Sequence, residues 1–141
     1  MAFEPFVPLR VLSSYSMLEG AIDPKAIAKL AQERAFPAIA IADRNGLYSA
    51  PAFAGAARDA GIQPIIGTLL GVLRETGGPI DWLALYAQND TGWNNLCHLV
   101  GAAHLDRPLE LEPHVTLAEL EGHSDGLICL TAAGEGALVR L

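Results

Sequence analysis

Hydrophobic and polar positions form two alternating kinds of segment along this chain. Short, almost wholly apolar runs are typical of strands that are buried on both faces. Between these runs, apolar residues recur three and four positions apart, which is typical of amphipathic helices. The apolar runs predict five strands, at residues 7–12, 38–42, 64–72, 82–87 and 126–131.

Residue types at the segment ends predict where the first two helices begin and end. Asp23 is a good N-cap residue, and Pro24 lacks the amide hydrogen that a first helical position leaves unbonded, so residues 24–34 are predicted to be helical. The second helix has a capping serine before it and a closing glycine after it: Ser49, residues 50–60 and Gly61.

The second half of the chain predicts three further helical segments. After a turn at residues 89–92, apolar residues at positions i, i+3, i+4 and i+7 predict a helix that buries them: Trp93, Leu96, Cys97 and Val100. Thr116 and Glu119 form a capping-box pair, which predicts a short helix. Residues 134–141 are predicted to open another helix.

The alternation of strands and helices predicts an α/β fold, with parallel strands that helices cover in a sheet or barrel. Such folds place their chemistry on the loops that follow the carboxyl ends of the strands. Any active site is therefore expected at four positions along the chain: residues 13–14, 43–44, 68–69 and 131–132.

Composition argues for a folded intracellular domain that does not bind DNA by itself. The chain has 141 residues, of which 51% are hydrophobic, and it carries 9 basic against 16 acidic residues, a net charge of −7. Nucleic-acid affinity depends mainly on Lys and Arg, and no basic cluster is present. Cys97 and Cys129 lie in apolar stretches, which predicts buried free thiols in a reducing cytoplasm. Neither a signal peptide nor a membrane-length apolar run is evident.

Residues 6–20 (FVPLRVLSSYSMLEG) are the most specific signal in the chain. They resemble the first motif of the polymerase-and-histidinol-phosphatase (PHP) domain that opens bacterial DNA polymerase III alpha subunits. Four later blocks match that domain in order and spacing: residues 37–47, 61–67, 85–96 and 126–128.

The resemblance implies a distorted, TIM-like β/α barrel whose strand ends gather His, Asp, Glu and Cys around zinc or manganese ions. In relatives with an intact site, this cluster supports phosphoester hydrolysis or 3′–5′ proofreading. A closed barrel takes about 250 residues, so residues 1–141 are expected to be the N-terminal portion of one PHP domain. The polymerase carboxylates of the family lie beyond this segment.

The positions that hold metal ligands in the family are largely changed here. Two carboxylates are kept, Glu19 and Asp43, whereas five matching positions hold side chains that do not ligate hard cations: Arg10, Leu12, Arg44, Leu69 and Trp82. Pro8 and Ala133 also replace a family histidine and cysteine. We therefore expect a degenerate, metal-free cleft with no cofactor and no catalytic residue.

The two arginines at former ligand positions suggest an electrostatic substitution. Removing metal ions leaves carboxylates uncompensated, and guanidinium groups bind carboxylates through paired hydrogen bonds. We hypothesise that Arg10 and Arg44 replace the cations beside Glu19 and Asp43. The alternative is that both arginines point into solvent.

Other candidate residues have simpler interpretations. Ser13, Ser14 and Ser16 are expected to be turn and capping hydroxyls, since no nucleophile elbow surrounds them. The glycine-flanked residues 67–71 lack the lysine of a phosphate-binding loop. Four histidines are expected at surface or capping positions, away from the family ligand positions: His98, His104, His114 and His123.

The resemblance implies a structural or interaction role within a replicative DNA-directed DNA polymerase, with the fragment itself not catalytic. Its implied partners are the rest of the alpha subunit and the proofreading exonuclease subunit, and DNA only through other domains. An active metal-dependent phosphoesterase, the PHP domain of an error-prone alpha-type polymerase and an unrelated β/α enzyme are the alternatives. Exposed apolar strand edges in an incomplete barrel also predict self-association.

Overall fold

A computed structural model of the chain describes residues 5–136 and 138. Its elements follow one another in the order α1 (Pro24–Glu33), β1 (Ala38–Arg44), α2 (Ala50–Asp59), β2 (Gln63–Leu73), β3 (Ile80–Ala87), α3 (Asp90–Leu105), β4 (Val115–Thr116), α4 (Leu117–Gly122) and β5 (Leu127–Thr131). The chain divides into two compact units, one of Met1–Asp43 with Tyr48–Ile66 and the other of Arg44–Leu47 with Gly67–Leu141.

The first unit packs α1 and α2 against β1. Apolar residues at helical spacing on α1 and α2 meet the strand, and they are all buried: Ile27, Ala28, Ala31, Phe53 and Ala57, with Ile39 and Ile41 from β1. The Asp23 side chain accepts a 2.9 Å hydrogen bond from the Lys25 amide and caps α1. Gly61 follows α2 with a φ of 72°, the left-handed conformation expected of a C′ glycine. The first two predicted helices are confirmed.

The strand predicted at residues 7–12 does not form. This segment runs beside β1 and accepts backbone hydrogen bonds from it, from the Ala40 amide to the Pro8 carbonyl at 2.9 Å and from the Ala42 amide to the Val11 carbonyl at 2.8 Å. Pro8 has no amide hydrogen to donate, so it interrupts the reciprocal bonding that a strand requires.

The second unit contains a mixed sheet. β2 pairs antiparallel with β3, β3 pairs antiparallel with β5, and β4 pairs parallel with β2. The prediction of parallel strands is therefore wrong for β3 and β5. Only residues 74–79 join β2 to β3, whereas a parallel crossover needs a dozen residues or more.

Helix α3 buries a different face from the predicted one. Its buried residues are Gly92, Leu96, Leu99 and Ala103, while Trp93 is 37% exposed. Cys97 and Cys129 are free but exposed, so the prediction of buried thiols is wrong. A Cβ atom on Gly92 would lie 1.9 Å from the carbonyl oxygen of Gly126. This backbone-to-backbone approach turns the glycine side of α3 inward.

Helix α4 begins with the predicted capping box. The Thr116 hydroxyl accepts from the Glu119 amide at 3.2 Å, and the Glu119 carboxylate accepts from the Thr116 amide at 2.7 Å. Arg107 also donates to the Glu119 carboxylate. The hydrogen bond from the Thr116 amide is the largest cause that lowers the pKa of Glu119 below its ordinary 4.5. The hydrogen bond with Thr116 Oγ1 and the nearby charge of Arg107 lower this pKa further.

Replacement of Glu119 with Gln is expected to weaken the acid dependence of stability. Because folding lowers the pKa of Glu119, its stabilisation is present above about pH 4.5 and is lost as the pH falls through the folded-state pKa. After screening by solvent we expect a loss of about 0.5 kcal/mol at neutral pH that disappears in acid. Urea unfolding from about pH 7 to pH 3 measures it, with exposed Glu121→Gln as the matched control. An equal loss at both pH values would contradict the prediction.

Of the helix predicted at residues 134–141, the structure shows a 3₁₀ turn at Ala133–Glu135, and residues 137 and 139–141 lie outside the described part. None of the helices within residues 5–136 is long and apolar enough to span a membrane.

Candidate functional site

The first unit holds four of the predicted site positions. Arg10 and Glu19 are exposed and Leu12 is half-buried, but Asp43 is 1% exposed at the end of β1. An acidic side chain in the interior needs hydrogen-bond donors around it. The surroundings of Asp43 therefore decide what this part of the chain can do chemically.

Three serine side chains and one amide surround the Asp43 carboxylate. Oδ1 accepts from the Ser13 amide at 2.7 Å and from the Ser16 hydroxyl at 2.9 Å. The Ser13 hydroxyl lies 2.9 Å from both carboxylate oxygens, and the Ser49 hydroxyl donates to Oδ2. We name these four residues, Ser13, Ser16, Asp43 and Ser49, the serine cage.

The loop that carries Ser13 and Ser16 is held in place by backbone contacts. Ser13 bridges to Ile22, whose carbonyl accepts from the Ser14 amide at 2.9 Å. Gly20 lies so close to this turn that a Cβ atom there would be 1.8 Å from the Ser13 carbonyl oxygen. The same loop turns the Ser13 amide toward Asp43.

The serine cage explains residues that the sequence interpretation assigned differently. Ser49 occupies the N-cap position of α2 but makes no side-chain capping bond, because its hydroxyl donates to Asp43 instead. Ser13 and Ser16 lie in a turn, as predicted, and the Ser13 hydroxyl accepts from the Tyr15 amide at 3.1 Å, but both side chains are also buried against Asp43. The sequence contained one signal for this cluster. Two serines lie three residues apart in a loop, and that loop precedes an apolar run that ends at an aspartate.

The second unit holds the remaining predicted positions. Leu69 on β2 opposes Ala84 on β3, and Gly71 opposes Trp82. Side chains alternate along a strand, so Leu69 and Trp82 project from the same face of the sheet. Leu69 is fully buried. The two predicted ligand positions Leu69 and Trp82 therefore lie on one face of the sheet and offer it no lone pair for a metal ion.

Arg44 is held by an acid and an aromatic ring. Its guanidinium lies 3.2 Å from the Glu135 carboxylate and 4.2 Å from the centroid of the Trp82 ring. Cation–π contact and ion pairing together fix a side chain that is only 19% exposed. Glu135 was not a sequence candidate, because it is 91 residues from Arg44. The hypothesis that Arg10 and Arg44 replace metal charge beside Glu19 and Asp43 stays a prediction.

The histidines have structural surroundings. The His104 ring lies 2.7 Å from the carbonyl of Asn45, and His98 stacks on His123 with ring centroids 3.9 Å apart. His114 is only 6% exposed, with its ring 2.7 Å from the Glu112 carbonyl. The prediction of a surface or capping position is wrong for His114, which is buried directly before β4.

Comparison with known proteins identifies the domain family of this chain. The sequence model of the PHP domain matches residues 8–141. The chain belongs to the PHP domain family. Among curated relatives of this PHP domain, DNA polymerase III subunit alpha of Caulobacter vibrioides is 45% identical, over 96% of this chain and 12% of the relative. The Rickettsia bellii subunit is 35% identical, over 94% of this chain and 11% of the relative. The chain thus spans a small part of these relatives.

Solved structures support the fold of the PHP domain. A Bifidobacterium adolescentis protein assigned as a metal-dependent phosphoesterase matches with a TM-score of 0.52 and 17% identity, over 74% of this chain and 37% of that one. An amidohydrolase from Chromobacterium violaceum, solved with sulfate and no metal, matches with a TM-score of 0.51 and 20% identity, over 66% of this chain and 32% of that one. At these identities the likeness concerns the fold alone.

The residues of this PHP domain do not fit the metal ions of its family. A carboxylate offers about four lone-pair sites, and those of Asp43 already accept from three hydroxyls and an amide. At two of the predicted ligand positions, Arg44 carries a positive charge and Leu69 has no lone pair. Within residues 5–136 and 138, no group of three or more His, Cys, Asp or Glu side chains is arranged to hold a metal ion.

Proposed function

We propose that this chain is a metal-free PHP domain with a structural or interaction role in a replicative DNA polymerase III alpha subunit. The relatives' names and the family match over residues 8–141 support the assignment to that polymerase. Polymerisation itself belongs to other parts of such a subunit. The domain acts in the cytoplasm, as the N-terminal portion of a distorted β/α barrel.

The serine cage is the observation that supports loss of the metal site. A metal ligand must present a lone pair toward the ion, and each hydroxyl in the cage instead points its hydrogen at Asp43. These donors stabilise the buried negative charge of Asp43. The aspartate at the family's retained position therefore serves folding rather than chemistry.

The partners that we propose follow from the same role. The rest of the alpha subunit is the first, and the proofreading exonuclease subunit is the second. DNA is not a direct ligand of this segment, since its net charge of −7 would repel a phosphate backbone.

Metal analysis tests the absence of a metal directly. We expect the purified 141-residue chain, dialysed against Zn²⁺ or Mn²⁺ and then against metal-free buffer, to retain far less than one ion per chain by plasma mass spectrometry. No turnover of a chromogenic phosphoester is expected with either ion. Stoichiometric metal, or turnover that Asp43→Asn abolishes while folding is retained, would overturn the proposal in favour of an active phosphoesterase.

A further inference from the structure

Two histidine rings join α3 to the carboxyl end of α4 in the second unit. His98 lies on α3 and His123 is the C-cap residue of α4. Their rings stack with centroids 3.9 Å apart and planes inclined by 15°. His98 is exposed and His123 is half-buried, so protons from the solvent reach the pair.

A hydrogen bond determines where His123 takes up a proton. Its Nδ1 atom lies 3.1 Å from the Glu119 carbonyl oxygen, and a carbonyl only accepts, so Nδ1 carries a hydrogen. Nε2 is therefore the nitrogen with the lone pair in the neutral ring, and it takes the added proton in acid. The bond from Nδ1 remains after that change. Protonation thus alters the charge of the ring without removing its bond to α4.

The charged groups around the stack do not neutralise two protonated rings. The other ionisable side chains on α3, on α4 and in the turns directly after them are Asp90, Cys97, His104, Asp106, Arg107, Glu119, Glu121 and Asp125. Glu119 already accepts from the Thr116 amide and from Arg107. In the part of the chain that the structure describes, no acidic side chain forms an ion pair with His98 or His123.

We infer that the His98–His123 stack is an acid-sensitive clasp, which holds the carboxyl end of α4 on α3 and releases it when both rings are charged. Aromatic rings in contact attract each other when they are neutral, and a single charged ring has no like charge to oppose it. Histidine changes its charge between about pH 5 and 8. Two positive charges at the separation of these rings repel each other, so the clasp is closed at neutral pH and opens in acid.

Two other contacts limit how far the release extends. The Asn95 side chain donates to the Asp125 carbonyl at 2.8 Å, and Gly92 lies against Gly126. Neither contact depends on a titrating group, so the turn after the clasp stays on α3 in acid. The opening is therefore confined to the last turn of α4, where Leu120 packs against the buried core of the second unit.

Amide hydrogen exchange of residues 120–123 tests the clasp when wild type is compared with His98→Phe. Phenylalanine keeps a flat ring against His123 but carries no charge, and the position is exposed enough to accept it. At about pH 5 the wild-type amides should exchange about fivefold faster than those of His98→Phe, the factor that two unit charges about 4 Å apart produce in water. At about pH 8 the two chains should exchange at the same rate. Each comparison is made at one pH, so the intrinsic pH dependence of exchange cancels.

His104→Gln is the matched control on the same helix. It removes a histidine that lies outside the stack and keeps a donor for the Asn45 carbonyl, so its amides should show the same acid dependence as wild type. An equal exchange ratio at both pH values, or loss of the acid dependence in His104→Gln, would overturn the inference. Unprotected wild-type amides at about pH 8 would refute it as well, because the clasp would then not be closed.

Discussion

Replacement of Asp43 with Ala is expected to destabilise the chain by about 3–5 kcal/mol. The carboxylate is 1% exposed and accepts from the Ser13 amide and three hydroxyls. Its removal leaves buried donors without an acceptor and opens a small cavity. Since a domain has only about 5–15 kcal/mol of stability, we expect a large drop in the urea midpoint, measured by circular dichroism.

Two further variants test whether the loss of stability comes from the serine cage or from the removal of any negative charge. Asp43→Asn keeps the shape and one acceptor oxygen, so its loss should be clearly smaller than that of the alanine variant. Asp59→Ala removes an exposed acid from the end of α2 in the same unit and should change stability by no more than about 0.5 kcal/mol. An Asp43→Ala chain with the wild-type midpoint would mean that the cage does not support folding.

Gly92→Ala is expected to cost about 3 kcal/mol of unfolding free energy. The added methyl group would lie 1.9 Å from the Gly126 carbonyl oxygen, and backbone rather than a flexible side chain would have to move. Helix α3 would have to move away from the turn before β5. Thermal and urea unfolding both measure this change.

Gly101→Ala is the matched control in the same helix. No atom lies within 4 Å of a Cβ atom built there. Alanine in a helix interior is favoured over glycine by about 0.8–1 kcal/mol. The control should therefore be stabilised while Gly92→Ala is destabilised. Changes of the same sign in both variants would show that helix propensity, rather than the contact with Gly126, decides the outcome at Gly92.

The elements of the fold could be predicted where their causes are local. Asp23 with Pro24, Gly61, and the capping box of α4 each act within a few residues, and the structure confirms all three. The buried face of α3 could not be predicted, because it depends on a contact with Gly126 that lies far along the chain. The antiparallel pairing of β2 and β3 was predictable from their short connection, but the pattern of apolar runs contains no strand direction.

The candidate site also combines a residue that the sequence could predict with partners that it could not. Asp43 could be singled out by resemblance to the family, but its partners lie 30, 27 and 6 residues away. Nothing in the local pattern links a loop serine to a distant aspartate. Glu135 is a stronger case, because its partnership with Arg44 joins distant parts of the chain.

On the proposed function of a metal-free domain, the serine cage also bears on how readily such a domain could acquire a metal site. Each hydroxyl now depends on the carboxylate, and the carboxylate depends on all of them. A single histidine introduced nearby would compete with donors already satisfied, and loss of one serine would weaken folding before any ion could compensate. Metal binding at Asp43 would therefore require several coordinated replacements among the residues of the cage. The mutual dependence of these four residues therefore makes the serine cage difficult to change one residue at a time.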